Sequence, residues 1–312
     1  MLLPSQIHVE KQHHFAGHSA GVFALAPGIS PHTVLSGGGD GVIAEWDLMG
    51  DGHAKGIARV PGNIFSLCTL PDRHLILAGD LHGGLHSIDT RTNTEVNRFA
   101  WDGGAIYAIA RRQEEVVALC SGTGNLILRN IAAHNTLKVI QVSDQALRGI
   151  HLHPDGKRLA IASSDHKIHV LRVDDLSSIA VLDPVHGHNN SVFTVRWSPD
   201  GRYLVSGSRD AQLKVFAADT WTHVHTIPAH MFTINDICFS PDGTLFATAG
   251  RDKHIKLWDA ERFTLLKVID VEKYGGHVNS VNKLFWSTSP NTLISCGDDR
   301  TVISWLISKL AN

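Results

Sequence analysis

Apolar and polar residues alternate along this chain in short runs, and each run closes on a turn signal. The stretch that begins at Ser191 shows the pattern: "SVFTVRW", "SPDG", "RYLVSGS", "RDAQ" and "LKVF". Alternation with a period of two over such short lengths predicts half-buried β-strands. Pro154-Asp155-Gly156, Pro199-Asp200-Gly201 and Pro241-Asp242-Gly243 predict tight turns between them. Proline presets φ at such a turn, and glycine accepts a positive φ.

The pattern repeats at a larger interval. His18, Asp40 and Trp46 are spaced by 22 and 6 residues, and so are His230, Asp252 and Trp258, and His277, Asp299 and Trp305. His188, Asp210 and Phe216 keep the spacing with phenylalanine in the last place. Three weaker copies lie between His18 and His188: "NIFSLCTLPDRHLILAGDLHGGLHSID", "AIYAIARRQEEVVALCSGTGNLILRN" and "LRGIHLHPDGKRLAIASSDHKIHVLR". Asp165 holds the aspartate place in the last of these. Seven units result, starting near residues 17, 60, 101, 143, 187, 229 and 276, with four antiparallel strands expected in each.

Gly17-His18, Gly187-His188 and Gly276-His277, with Trp46-Asp47, Trp258-Asp259 and the shared spacing, resemble the WD-repeat family over nearly all 312 residues. The resemblance implies an all-β fold, a single seven-bladed β-propeller over residues 1–312. It also implies a hydrogen-bonded tetrad in each complete blade, built from the histidine, a strand hydroxyl, the aspartate and the tryptophan. The hydroxyl belongs four residues before the aspartate, where Ser36, Ser206, Thr248 and Ser295 stand.

Three complete sets are therefore expected: His18, Ser36, Asp40 and Trp46; His230, Thr248, Asp252 and Trp258; His277, Ser295, Asp299 and Trp305. The set of His188, Ser206 and Asp210 is expected to end at Ser206, because Phe216 has no N–H. In the second to fourth units Ala78, Leu119 and Ile161 replace the hydroxyl, and Val60, Trp101 and Ser143 replace the histidine. Loss of several partners together fits an apolar repacking, whereas loss of one strands a buried polar group. Asp165 is expected to keep only its acceptor role, and Arg129 at the third unit's tryptophan place has no explanation in the sequence.

The chain ends complete the pattern. "TVISWLIS" reads as the third strand of the seventh unit, and residues 1–16 precede the first unit without one of their own. This N-terminal segment is expected to supply the seventh blade's outer strand and close the ring, with His13-His14 as an exposed pair.

On the first strand of each unit the apolar positions Val22, Ile64, Ile106, Leu147, Val192, Ile234 and Val281 are followed three residues later by a second apolar series, Leu25 to Leu284. Three is odd, so a β-bulge is needed to bring both series to the core. The residue after the first series then projects: Phe23, Phe65, Tyr107, Arg148, Phe193, Asn235 and Asn282. By the resemblance these are top-face contact positions around a central channel, with Ser164, Arg209, Arg251 and Asp298 on the same face. Aromatic side chains and arginine are the usual anchors of interfaces. The alternative is that the rings fill the channel's narrow end or pack beneath loops.

Composition narrows the function. A net charge of −2 and a pI near 6.9 give no global attraction to nucleic acid or an anionic membrane. The start lacks a positively charged secretory n-region, and no apolar run approaches the length of a membrane span. Cys68, Cys120, Cys238 and Cys296 form no CxxC pair, so a cytoplasmic setting is expected. Among the 21 histidines, His151/His153 and His223/His225 are two apart and expected on single strand faces, but no carboxylate or cysteine completes a ligand set. "SGGGDG" at residues 36–41 reads as a strand turn rather than a phosphate cradle. No metal and no cofactor are expected.

The reading is a non-enzymatic scaffold or adaptor, monomeric as a propeller, that binds a protein or peptide on its top face, alone or as one subunit of a larger complex. A competing reading is a propeller hydrolase or lactonase with an active site in the channel. That reading predicts acidic or histidine side chains at the inward first-strand positions, where this chain has phenylalanine, tyrosine, arginine and asparagine.

Overall fold

The computed structural model describes residues 6–50, 53–182, 187–288 and 291–309. Each alternating run forms a strand, and the strands assemble into seven antiparallel sheets of four, the blades of a seven-bladed β-propeller. Blade 1 is typical, with strands Val22–Pro27, Thr33–Gly38, Val42–Asp47 and Ala54–Arg59 in chain order. A short helix, Val271–Tyr274, lies in the connection before the last blade and is capped by the Asp270 side chain, which accepts from the Lys273 N–H.

The seventh sheet breaks the chain order. Its strands run Ile7–Ala16, Thr301–Lys309, Asn291–Gly297 and Val281–Thr288. The N-terminal strand pairs antiparallel with the final strand, from Ile7↔Lys309 to Ala16↔Thr301, with a register shift between Lys11 and His13. Ile7, Val9 and Phe15 point into the core and are buried. His13 is half-buried rather than exposed, because its backbone N–H donates to Ser304 Oγ at 3.1 Å and its ring stacks on Phe15.

By compactness the chain divides into two units, residues 1–78, 86–97 and 235–312 in one, residues 79–85 and 98–234 in the other. In the first, Phe15, Val22, Val34, Trp46, Ile294 and Val302 share one apolar cluster. In the second, Leu126, Leu147, Ile150, Leu159 and Ile161 do the same. Ile161, Leu119 and Ala78, which stand where other blades carry the tetrad hydroxyl, are fully buried, Ile161 and Ala78 within apolar clusters. An apolar residue at the hydroxyl place needs no partner of its own.

The first strands carry the expected irregularity. Register shifts fall between Val22 and Ala24, Ile106 and Ala108, Leu147 and Gly149, Val192 and Thr194, and Val281 and Lys283. All seven residues of the first apolar series are buried. In the second series Leu67 and Ile109 differ from the rest, being only half-buried.

The three Pro-Asp-Gly turns place Gly156, Gly201 and Gly243 at φ of 72°, 72° and 68°, a conformation that side chains resist. Ser198 and Ser240 open two of these turns, and each hydroxyl accepts the N–H that begins the next strand, from Tyr203 and Leu245 at 3.0 Å. His153 takes their place in the third turn. The strand ends at Leu152, so His151 and His153 do not share a strand face: His151 Nδ1 accepts from Trp197 N at 3.0 Å, while His153 sits in the turn and accepts from Asp155 N.

Candidate interaction surface

The tetrads are the frame on which the surface is built. In blade 7, His277 Nδ1 lies 3.0 and 2.8 Å from the two oxygens of Asp299, and its Nε2 lies 2.8 Å from Ser295 Oγ. Trp305 Nε1 donates to the same hydroxyl at 2.9 Å. Blade 1 repeats this with His18, Asp40, Ser36 and Trp46, where both bonds to Ser36 Oγ are 2.7 Å. In blade 6, Trp258 Nε1 donates to Thr248 Oγ1 at 3.0 Å, and Asp252 accepts from the His254 N–H.

One proton arrangement satisfies every member: the indole N–H donates to the hydroxyl, the hydroxyl donates to Nε2, and the Nδ1–H donates to the carboxylate. In blade 5, His188 Nε2 meets Ser206 Oγ at 2.8 Å, but Phe216 has no donor to offer. Ser206 thus lacks the indole partner of the complete sets; its hydroxyl also lies 3.5 Å from the Lys214 carbonyl.

Each aspartate does a second job. Asp40, Asp210 and Asp299 accept from N–H groups two residues on, in the turn, and also from Ser19, Asn189 and Val278, in the loop that leads into the blade's first strand. The carboxylate thus fixes turn and loop together, and with them the projecting residue of the first strand.

These contacts set a pH response. Burial raises the carboxyls of Asp210 and Asp299, but hydrogen bonds from His188 and His277 and from backbone N–H groups outweigh it and hold both at about 2. Burial pushes His188 below its ordinary value of 6.5, against the opposing pull of Asp210. All three shifts favour the folded state at neutral pH and are lost in acid. The histidine contribution falls away as pH drops below about 6.5, and that of the carboxylates between about 4 and 2. A pH series of urea midpoints should show the first decline, and His188→Gln should remove part of it. A midpoint that stays level between pH 7 and 4.5 would contradict the assignment.

Two blades without tetrads have substitutes. In blade 4, Ser143 Oγ donates to Asp165 Oδ2 at 2.8 Å and His169 Nε2 meets the same oxygen at 2.9 Å, so Asp165 anchors a new triad instead of standing alone. In blade 3, Arg129 replaces the tryptophan as a flat, buried group. Its guanidinium lies 3.9 Å from the Phe99 ring centroid and donates to the His134 carbonyl at 2.7 Å and Thr136 Oγ1 at 3.1 Å. Trp101, in the histidine place of that blade, has a buried Nε1 with no hydrogen-bond partner.

The projecting residues Phe23, Phe65, Tyr107, Arg148, Phe193, Asn235 and Asn282 are all half-exposed. Within the second compact unit, the Arg148 guanidinium lies 4.4 Å from the Tyr107 centroid and 5.3 Å from that of Phe193, while its Nε donates to Ser164 Oγ at 2.9 Å. Within the first unit, Phe23 and Phe65 stack at 5.2 Å. Asn235 and Asn282 use both amide donors inside the chain. Asn235 Nδ2 reaches Ser280 Oγ and the Val281 carbonyl, and Asn282 Nδ2 reaches the Val22 carbonyl and Asp298 Oδ1. They staple neighbouring first strands. Arg209 and Arg251 are exposed.

Two features were not anticipated. The fully buried Asp236 carboxylate meets Lys283 Nζ at 3.3 Å and accepts from Leu284 N at 3.1 Å. Met231 and Phe232, just after His230, are exposed; the apolar pair could have been noticed, since other copies carry Ser19-Ala20 and Asn189-Asn190 there. Among the described residues no group of three His, Cys, Asp or Glu is arranged to hold a metal, none of the four cysteines is in a disulfide, and no helix is long and apolar enough to cross a membrane.

Comparison with known proteins agrees with the fold. Over 96% of this chain and 97% of the other, the structure superposes on the crystal structure of the WD40 β-propeller domain of Doa1 with a TM-score of 0.83 at 17% identity. Curated relatives include Protein HIR1 of Gibberella zeae, 28% identical over 163 residues, half of this chain and 13% of that protein. Protein HIR1 of Cryptococcus neoformans is 27% identical over 190 residues, covering 51% and 20%, and Protein HIRA of Dictyostelium discoideum is 28% identical over 174 residues, covering 53% and 12%. The chain thus matches no more than about a fifth of the length of these relatives. The model of the WD domain, G-beta repeat, matches residues 9–47, 178–216, 221–259 and 269–305, the four segments that end at Asp47, Phe216, Asp259 and Trp305. With the tetrads in place and the repeat recognised four times over, the chain belongs to the WD-repeat family.

Proposed function

We propose that this protein is a non-enzymatic scaffold that holds a protein or peptide partner on the face bearing the bulged first-strand residues. The observation that carries the reading is the repeated bulge, which presents Phe23, Tyr107, Arg148 and Phe193 at one structural position while their neighbours stay buried. Half-exposed aromatic rings locked by their own packing lose little side-chain entropy on binding. Phe65 belongs to the same set. Arg209 and Arg251 are secondary contacts, and Asn235 and Asn282 hold the strands in position. The partner engages the chain as a lone propeller or as one subunit within a larger complex, in the cytoplasm.

The test is affinity capture from native lysate with wild type beside a Phe65→Ala/Tyr107→Ala/Arg148→Glu variant, with folding matched by circular dichroism and melting temperature. A protein retained by wild type and lost from the equally folded variant supports this surface. Identical captures would place binding elsewhere and leave the rings as packing.

A further inference from the structure

We propose that His153 is an acid-operated switch: its neutral ring accepts from the Arg158 guanidinium, and its protonated ring releases Arg158 and grips the next blade's turn at Gly201. The switch sits in the turn that follows the strand Leu147–Leu152, at the other end of that strand from Arg148. It is therefore separate from the partner surface proposed above and does not depend on it.

The ring is buried, and each of its nitrogens faces one donor and one acceptor. Nδ1 lies 3.0 Å from Asp155 N and 2.8 Å from Asp155 Oδ1. Nε2 lies 2.9 Å from Arg158 Nη2 and 3.1 Å from the Gly201 carbonyl oxygen. A neutral imidazole donates from one nitrogen and accepts at the other. One tautomer accepts from Asp155 N and donates to Gly201; the other donates to Asp155 Oδ1 and accepts from Arg158. The cation only donates, to Asp155 Oδ1 and the Gly201 carbonyl together, so both donors must turn away. No state of the ring satisfies all four neighbours, and a change of charge selects between them.

Arg158 is the partner that can leave. Its side chain is 21% exposed against 6% for His153, so repulsion between two cations 2.9 Å apart drives the guanidinium, not the ring, towards water. Leaving breaks its bond to the Ala218 carbonyl at 3.1 Å and lifts it from the Trp197 ring, whose centroid is 5.6 Å away. His153 stays, edge-on to the same indole at 4.7 Å. Asp155 favours both cations, since its Oδ2 lies 3.2 Å from Arg158 Nε and 3.1 Å from Nη2. Burial raises the Asp155 carboxyl, but hydrogen bonds from the Lys157 N–H and His153, with the charge of Arg158, hold it below the ordinary carboxylate range. From the neighbouring blade the ring meets the Gly201 carbonyl and Trp197; Asp200 and Arg202, on either side of Gly201, pair with each other at 2.5 Å.

The test is NMR of the full chain carrying nitrogen-15 in histidine and arginine, followed from about pH 8 to about pH 5, with the melting temperature checked along the series. The His153 signals are assigned by their absence from His153→Gln, and those of Arg158 by their absence from Arg158→Gln. His153 should gain its second N–H over the same pH interval in which the Arg158 Nε–H signal moves. Arg158→Gln removes the opposing cation and should let His153 protonate at about tenfold lower proton concentration, whereas Asp155→Asn should require about tenfold more. A histidine that only fills space would show neither displacement. The switch is overturned if His153 stays neutral throughout the series in folded protein, if Arg158 does not respond while His153 titrates, or if Arg158→Gln leaves the His153 midpoint where it was. The coupled titration is read in wild type, so it decides even where a substitution unfolds the turn.

Discussion

Removing residues 1–16 is expected to abolish cooperative unfolding altogether. The strand Ile7–Ala16 is the outer member of the seventh sheet, and its loss uncovers the whole edge of Thr301–Lys309. Ile7, Val9 and Phe15, at 2%, 7% and 1% exposure, would vanish from the core. Each such side chain stabilises by about 1.5–3 kcal/mol, and the nine paired positions of the ladder go with them. That total approaches the roughly 5–15 kcal/mol by which a whole domain is stable. The unpaired edge is also a template for association. The truncated protein should appear in the insoluble fraction or melt without a sharp transition, and a synthetic peptide of residues 6–17 added during refolding should recover part of the soluble yield. A truncated chain with an unchanged melting temperature would show that the last sheet holds without its outer strand.

Ser295→Ala should destabilise the protein by about 2–4 kcal/mol, read from urea unfolding midpoints, through the loss of a single oxygen. Ser295 is fully buried, and its hydroxyl serves both Trp305 Nε1 and His277 Nε2. Alanine would leave a buried donor and a buried acceptor without partners, each costing about 1–3 kcal/mol. Thr248→Ser, which keeps the hydroxyl for Trp258, is the control and should change stability by well under 1 kcal/mol beyond its lost methyl. The contrast with blades 2 to 4 explains the size. There the hydroxyl place is apolar and fully buried as Ala78, Leu119 and Ile161, and the histidine and tryptophan places changed with it. A loss below about 0.5 kcal/mol for Ser295→Ala would mean that the tetrad is not a stabilising unit.

The division between what could be read and what could not follows the range of the interactions. Spacing within a unit is local, so His18 to Asp40 to Trp46 and its copies already mark seven units, their turns and their tetrads. The odd interval from Val22 to Leu25 dictates a bulge from chain geometry alone, and the structure has the register shift at that place. The closing strand is legible too, because the seventh unit lacks a fourth strand and the chain start has one to spare.

What the sequence by itself could not determine are contacts between residues far apart in the chain, whose partners no fixed spacing names. Arg129 looks anomalous until Phe99 and the His134 carbonyl are placed around it. Asp236 and Lys283 are 47 residues apart and become an ion pair only when their strands lie side by side. Asn235 and Asn282 read as projecting contact positions, yet adjacent first strands consume their donors. Asp298 and Phe23, far apart in sequence, both lie beside Gly21, where a Cβ would stand 3.1 Å from Asp298 Oδ1 and 3.3 Å from the Phe23 ring. Repetition along the sequence therefore determined the fold and its frame, while the character of individual surface groups, an Arg148 guanidinium stacked on Tyr107 and an Asp298 carboxylate held by Asn282, was decided by which strands tertiary packing sets next to one another.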